Sequence, residues 1–214
     1  MTEETLTIPA GPVQLEAQLN VPDGAAGVVV FAHGSGSNRH SRRNRFVAER
    51  LQEAGLGTLL FDLLTLEEAD DQSKVLDIDL LAERLVMVTD WLQDRPGAEN
   101  EWVGYFGGST GAAVALRAAT APGVEVRAVV SRGGRPDLAE DDLPNVRTPT
   151  LLIVGEHDED VLGLNYEAQH RLGGSNRVAI VPGATHLFDE PGTLEAVAAL
   201  ARDWFNEHLG GVVP

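Results

Sequence analysis

Residues 102–118 of this 214-residue chain read WVGYFGGSTGAAVALRA. The first five residues are apolar or small, as in a strand that is covered on both faces, and the last seven are good helix formers. Between them lies Gly107-Gly-Ser-Thr-Gly111, in which glycines stand on both sides of a serine. Small residues are needed where a strand turns sharply into a helix, because the two backbones approach closely there. The stretch therefore predicts a strand, a tight turn that carries Ser109, and a helix.

The rest of the chain repeats this alternation of strand and helix. Five more apolar runs have the length of buried strands; they are residues 27–32, 58–62, 126–131, 150–154 and 177–181. Apolar residues recur with helical period at 46–54, 80–92 and 194–205, and glycines at 55 and 210–211 follow two of these segments. Residues 5–8 and 13–21, joined by a turn at Gly11-Pro12, predict two edge strands. We therefore expect a doubly wound, mostly parallel α/β sheet with an antiparallel N-terminal edge.

Composition limits the class of protein. A hydrophobic content of 43% without linkers or repeats predicts one domain over residues 1–214. A net charge of −17 argues against a nucleic-acid partner, and the lack of cysteine excludes disulfides, a thiolate nucleophile and cysteine-bound metal. The N-terminal nine residues have no signal-peptide pattern, and no apolar run is long enough to span a bilayer. The sequence thus favours a cytoplasmic protein without a membrane partner.

Ser109 is the candidate nucleophile. Its G-x-S-x-G string follows a predicted strand and opens a predicted helix, which is the context that a nucleophile elbow requires. In such a turn the hydroxyl projects from the end of the sheet, and the next backbone N–H, that of Thr110, points toward a developing oxyanion. The alternative is a glycine-rich turn that cradles a phosphate. No G-x-G-x-x-G or Walker string accompanies it, so we favour the elbow.

A serine nucleophile needs a base, and the base needs an acid behind it. His186 lies in a loop after the last predicted strand, whereas His33 reads as structural, and His170 and His208 read as solvent-facing helix residues. Asp158 follows the strand at 150–154, with Glu156 and Asp160 as neighbouring alternatives. The order Ser109, Asp158, His186 places each residue at a strand end, and this order is the one that α/β-hydrolases use.

Two other strand ends carry candidate binding groups. The turn at 33–38 follows the first parallel strand, and we expect its Ser35 N–H to be the second oxyanion donor, with Gly36 as the rival. All but one of the 16 Lys and Arg residues are arginine, the exception being Lys74. Most of them are expected to pair with the abundant acids. Arg132 and Arg135, which follow the strand at 126–131, are the better candidates to bind a carboxylate or phosphate of the substrate.

The chain resembles the dienelactone hydrolase-like branch of the α/β-hydrolases over nearly its full length. The resemblance rests on HGSGS (33–37), FDLLT (61–65), GGSTG (107–111), SRGGRP (131–136), LIVG (152–155) and PGATH (182–186). It implies a small hydrolase without a cap domain, active on esters and sometimes fused to a phosphoribosyltransferase domain. True dienelactone hydrolases have cysteine at the elbow, where this chain has Ser109, so carboxylesterase activity is the safer expectation.

These observations predict a serine hydrolase that cleaves small, soluble esters through an acyl-enzyme and needs neither metal nor cofactor. No stretch between residues 131 and 149 is long enough for a helical cap, and aromatic residues are few, at 5%, which favours short acyl groups over lipids. The same triad suits a thioesterase or acyltransferase, and a binding protein without activity can retain the fold. The sequence leaves the natural substrate, the acyl acceptor and the oligomeric state open.

Overall fold

The computed structural model describes residues 2–95 and 102–210. Its centre is an eight-stranded sheet with the order β1-β2-β4-β3-β5-β6-β7-β8. The strands are β1 (Thr2–Ala10), β2 (Val13–Val21), β3 (Gly27–Ala32), β4 (Gly57–Phe61), β5 (Trp102–Gly108), β6 (Val126–Arg132), β7 (Thr150–Gly155) and β8 (Asn176–Val181). The strands β3 to β8 are mutually parallel, and β1 and β2 form an antiparallel edge against β4.

Helices cover both faces of the sheet. They are α1 (Arg42–Glu53), α2 (Gln72–Val75), α3 (Ile78–Gln93), α4 (Thr110–Ala118), α5 (Glu159–Arg171) and α6 (Thr193–Leu209), and short 3₁₀ turns lie at Glu68–Asp70, Pro136–Ala139 and Leu143–Asn145. One apolar core lies between the sheet and α3, α4 and α5, and a second lies between the sheet and α1 and α6. All residues of β3, β4 and β7 are buried, as strands between two helical layers require.

This architecture is the α/β-hydrolase fold, so the predicted fold class is confirmed. Among the described residues no helical cap interrupts the sheet; only two 3₁₀ turns lie between β6 and β7. The strand at 102–106 is two residues longer than predicted, because Gly107 and Gly108 continue the ladder opposite Ser131 and Arg132. The predicted helix stop at Gly210 is the C-cap of α6, and Gly211 lies outside the described residues.

The order of the strands determines where a ligand can bind. From β3 the chain moves outward to β4, and β5 then returns to the opposite side of β3. In open α/β sheets such a reversal leaves a crevice at the carboxyl ends of the neighbouring strands. Every predicted site residue lies at this edge, after β3, β5, β6, β7 or β8. In the part of the chain that is described, no helix has the length and apolar character needed to cross a membrane.

Candidate active site

Ser109 occupies a strained turn between β5 and α4. Its φ of 52° and ψ of −121° lie in a region that residues with a side chain rarely adopt. Two backbone hydrogen bonds hold the turn: the Ser109 N–H donates to the Arg132 carbonyl at 3.1 Å, and the Arg135 N–H donates to the Ser109 carbonyl at 3.1 Å. The Ser109 hydroxyl has no hydrogen-bond partner among the described residues. The surrounding backbone therefore imposes the strain and leaves the hydroxyl unengaged.

The flanking glycines allow the turn to form. A Cβ on Gly107 would lie 2.5 Å from the Ala112 Cα, and a Cβ on Gly111 would lie 2.2 Å from the Ala32 carbonyl oxygen. Gly108 has a different neighbour, since a Cβ there would lie 2.5 Å from Nη2 of Arg132. The outer two glycines thus serve the close approach of strand, helix and β3, while the middle one makes room for a guanidinium.

His186 and Asp158 form a pair at the ends of β8 and β7. The His186 Nδ1–H donates to Asp158 Oδ2 at 2.7 Å, which leaves Nε2 as the unprotonated nitrogen. Asp158 is the N-cap residue of α5, yet its carboxylate caps no helix N–H. The alternatives do not contact the ring: Glu156 accepts the Gly183 N–H at 2.8 Å, and Asp160 is exposed. The acid and base positions expected from the sequence are therefore in contact, 28 residues apart.

The loop that carries His186 is fixed in place. Glu190 accepts both the Thr185 hydroxyl at 2.6 Å and the Thr185 N–H at 3.2 Å. Phe188, which is buried, has a φ of 56°. Ser109 and Phe188 are the two non-glycine residues in the described ranges with positive φ, and both lie at the same edge of the sheet. Unfavourable backbone conformations of this kind cluster at functional sites. No sequence signal indicated the conformation of Phe188.

Gly133 connects the serine and histidine segments. It follows Arg132, whose carbonyl accepts the Ser109 N–H, and a Cβ added to Gly133 would lie 3.5 Å from the His186 Cε1. The structure thus brings Ser109 and the imidazole to the end of the same strand, β6. A serine-to-histidine hydrogen bond is absent within the described residues. Such bonds are often long in a ligand-free enzyme and tighten when substrate binds.

The turn after β3 lies against the elbow. A Cβ on Gly34 would lie 3.2 Å from the Ser109 Cβ, so the turn passes next to the hydroxyl. The Ser35 N–H, the expected oxyanion donor, donates instead to the Thr110 hydroxyl oxygen at 2.7 Å. A substrate oxygen would have to displace that hydroxyl before it could accept from Ser35. The Thr110 N–H, at the first turn of α4, has no such partner among the described groups.

The two candidate substrate-binding arginines differ in their environment. Arg135 donates two hydrogen bonds to Asp137, at 2.8 and 2.7 Å, so its guanidinium is already satisfied. Arg132 is 9% exposed and pairs with no carboxylate in the described ranges. Burial, and to a smaller extent the neighbouring Arg43, lowers the pKa of Arg132 to about 10, which leaves it charged at neutral pH.

A cavity of about 270 Å³ borders the turn after β3. It is lined by residues 33–38, 62–66, Ala69, Val75 and Leu81. Its outer wall is held by Glu68, which accepts two hydrogen bonds from the buried Arg84, at 2.7 and 2.8 Å, and one from Lys74 at 2.9 Å. The Arg84 guanidinium holds the pKa of Glu68 far below its usual range, so this ion pair persists in moderate acid.

His33 supports the same turn from below. Its Nε2 accepts the Leu63 N–H at 3.0 Å, which ties the end of β3 to the end of β4. Burial lowers the pKa of His33 below the ordinary value of 6.5, because a charged imidazolium is poorly solvated there. Protonation would also place a proton on the nitrogen that accepts the Leu63 N–H. The structural role expected for His33 agrees with these contacts.

We expect this histidine to make folding pH-dependent. Because its folded-state pKa lies below the unfolded value of 6.5, its stabilising contribution is complete above pH 6.5 and is lost as the pH falls below that value. Urea unfolding between pH 7.5 and 5.0 measures this loss, and His33→Gln should show a smaller fall in the free energy of unfolding than the wild type. Parallel curves for the two proteins would contradict the assignment.

Within residues 2–95 and 102–210, no group of three or more His, Asp or Glu side chains comes together in a way that could hold a metal ion. The site as built therefore presents a hydroxyl, an imidazole, a carboxylate and backbone N–H groups.

Residues 15–209 match the sequence profile of the family described as the dienelactone hydrolase family. The chain belongs to this family. Dienelactone hydrolase from Anabaena variabilis is 53% identical to it, with a TM-score of 0.93 over 97% of this chain and 98% of that one. Est1E from Butyrivibrio proteoclasticus shares 17% identity and a TM-score of 0.81 over 96% and 99% of the two chains, which shows the common fold. This member of the dienelactone hydrolase family is therefore a hydrolase.

Longer relatives are also found in Mycobacterium tuberculosis. Two strains carry a protein, provisionally named as a phosphoribosyl transferase, that is 58% identical over all 214 residues of this chain. The chain spans about half of that protein, 48% of its length.

Proposed function

We propose that this protein is a serine carboxylesterase that cleaves small, soluble esters through an acyl-enzyme. The observation that carries the proposal is the His186–Asp158 pair, at 2.7 Å, beside a strained serine whose hydroxyl has no other partner. The carboxylate fixes the ring so that Nε2 is the free nitrogen, and it stabilises the imidazolium that forms when that nitrogen takes a proton. A hydroxyl becomes a useful nucleophile at neutral pH only with such a base.

The proposed reaction has two steps. In the first, the Ser109 oxygen attacks the ester carbonyl while His186 Nε2 accepts the hydroxyl proton; His186 then protonates the departing alcohol, and an acyl-serine remains. In the second, His186 takes a proton from water, the hydroxide attacks the acyl-serine, and the proton returns to Ser109 as the acid leaves. Atoms and charge balance without a metal or a cofactor.

The negative charge on the carbonyl oxygen needs donors in both steps. We assign the N–H groups of Thr110 and Ser35, which lie on adjoining segments at the elbow. In the resting structure the Thr110 hydroxyl oxygen takes the Ser35 N–H at 2.7 Å. A carbonyl oxygen replaces it when the Thr110 side chain turns about χ1, which is open to threonine in a helix because its hydroxyl tolerates two rotamers there.

The size of the site supports short substrates. The cavity beside the turn after β3 has a volume of about 270 Å³ and is lined by Leu63, Leu64 and Val75 among others. A space of this size suits a short acyl or alkoxy group. Hydrolysis of p-nitrophenyl esters that rises steadily with acyl length would contradict this part of the proposal.

The phosphoribosyl transferase name of the Mycobacterium tuberculosis relatives fits a division of labour between two halves. We infer that phosphoribosyl transfer, where those proteins perform it, resides in the half that this chain does not cover. The argument is chemical: the glycine-rich turn of this chain carries an exposed strand-end serine next to a histidine–aspartate pair, and it lacks the phosphate-binding strings that dinucleotide and P-loop sites use.

A fluorophosphonate probe tests the proposal directly. The probe phosphonylates serines that an adjacent base activates, so native protein should take up a single label, mapped by peptide mass spectrometry to Ser109. Heat-denatured protein and Ser109→Ala should take up none. A native protein that stays unlabelled, and hydrolyses no ester or thioester in a panel, would instead be a binding protein that retains the fold.

A further inference from the structure

Arg132 is a buried cation without a counter-ion. It is 9% exposed, its Nε is fully enclosed, and its guanidinium forms no hydrogen bond or ion pair with any described residue. The other buried arginine, Arg84, is 4% exposed and makes a bidentate pair with Glu68. The chain carries 33 Asp and Glu residues, so acids are abundant. An unpaired buried charge is costly, which indicates that its partner comes from outside the chain.

The guanidinium lies against both segments of the candidate active site. Its Nη2 occupies the space that a side chain on Gly108 would fill, directly before Ser109. On the other side, the guanidinium carbon lies 5.9 Å from the centre of the Phe188 ring, two residues after His186. A group bound to Arg132 is therefore held close to the nucleophile and to the base.

A second arginine adds to the positive charge at this position. Arg43, in the first turn of α1, is close enough for its charge to lower the pKa of Arg132. Its contacts with Asp189 are long, at 3.3 and 3.4 Å, and both side chains are partly exposed. The first turn of α1 has no acidic residue to oppose the positive end of the helix dipole. Asp189 thus offsets only part of the charge on the two guanidinium groups.

We propose that Arg132, assisted by Arg43, binds an oxyanionic group of the substrate, a carboxylate or a phosphate, next to the ester that Ser109 attacks. The proposal rests on the esterase function proposed above. The planar guanidinium offers parallel N–H donors that match two oxygens of such a group. The preferred substrates are then acidic esters, and the glycine at position 108 is needed because the guanidinium occupies the space beside it.

Two esters that differ by one methyl group test the proposal. The mono-p-nitrophenyl ester of adipic acid carries a free carboxylate, and its methyl ester is neutral but has the same chain. We expect wild-type protein to prefer the acid in kcat/KM. Arg132→Met, which keeps an unbranched side chain, should lower the acid-to-neutral ratio by about 100-fold, mostly through KM. Arg132→Lys should lie between the two.

Matched controls separate this effect from general damage. Arg127→Met lies on the same strand at the opposite edge of the sheet, where Arg127 stacks on Trp102, and it should leave the ratio unchanged. Arg43→Met changes a partly exposed residue and should lower the ratio by about tenfold. It provides a test even if Arg132→Met does not fold. A ratio that both variants leave at the wild-type value would overturn the proposal.

Inorganic phosphate distinguishes a substrate group from a free anion, without any need for activity. Phosphate should raise the Tm of the wild type, compared with chloride at equal ionic strength, and should have a smaller effect on Arg43→Met. It should also compete with the neutral ester. Phosphate binding without a preference for the acidic ester would mean a free-anion site and would refute the substrate assignment. Phosphate binding by a protein that hydrolyses no ester would refute the esterase and leave the anion site standing.

Discussion

Ser109→Ala and His186→Ala are each expected to lower kcat for a neutral p-nitrophenyl ester by about 10⁵- to 10⁶-fold, and the double variant is expected to be no slower than either. Both residues act in one proton-coupled step, so the loss of one leaves the other without a role. Asp158→Asn should cost about 10⁴-fold, since an amide in place of the carboxylate favours the wrong tautomer of His186. Steady-state rates, with purified variants checked for native circular dichroism, measure these effects.

The controls are an exposed histidine and an exposed serine. His170→Ala and Ser175→Ala change side chains of the same types that lie at the surface, and both should keep wild-type kcat. Losses that multiply in the Ser109 and His186 double variant would show that the two residues act independently. That outcome would refute the proposed general-base mechanism even if each single variant were inactive.

Much of the fold was predictable because each strand carries its own signal. The apolar run at 27–32 coincides with β3, and Ser109, Asp158 and His186 follow β5, β7 and β8 as their positions after apolar runs predicted. The hydrogen bond between His186 and Asp158 was not predictable in the same way. It depends on the close packing of the loops after β7 and β8, which only the three-dimensional arrangement brings together.

The features that the sequence did not predict are those that depend on contacts between distant segments. The pairing of Arg135 with Asp137 joins residues two apart and could have been anticipated. The isolation of Arg132 could not, because it requires knowledge of every side chain around it. Similarly, the Thr110 hydroxyl meets the Ser35 N–H across 75 residues, so the sequence identified an oxyanion turn but not what its N–H contacts at rest.

Gly111→Ala is expected to destabilise the protein by about 3 kcal/mol or more, enough to leave it partly unfolded at 37 °C if its total stability is typical. A Cβ there would lie 2.2 Å from the Ala32 carbonyl oxygen and 2.6 Å from that of His33. Both are backbone atoms at the end of β3, so neither can move aside by changing a rotamer. Urea unfolding followed by circular dichroism measures the change.

Gly163 provides the matched control, because it lies within α5 and a Cβ there would meet nothing within 4 Å. Gly163→Ala should stabilise the protein by about 0.5–1 kcal/mol through helix propensity alone. Any Gly111→Ala protein that folds should also be a poor esterase, because its new methyl group displaces the turn that carries Ser35 relative to Ser109. A Gly111→Ala protein within 0.5 kcal/mol of the wild type and fully active would show that β3 and the elbow need not pack this closely. The last glycine of the G-x-S-x-G string would then have no steric role here.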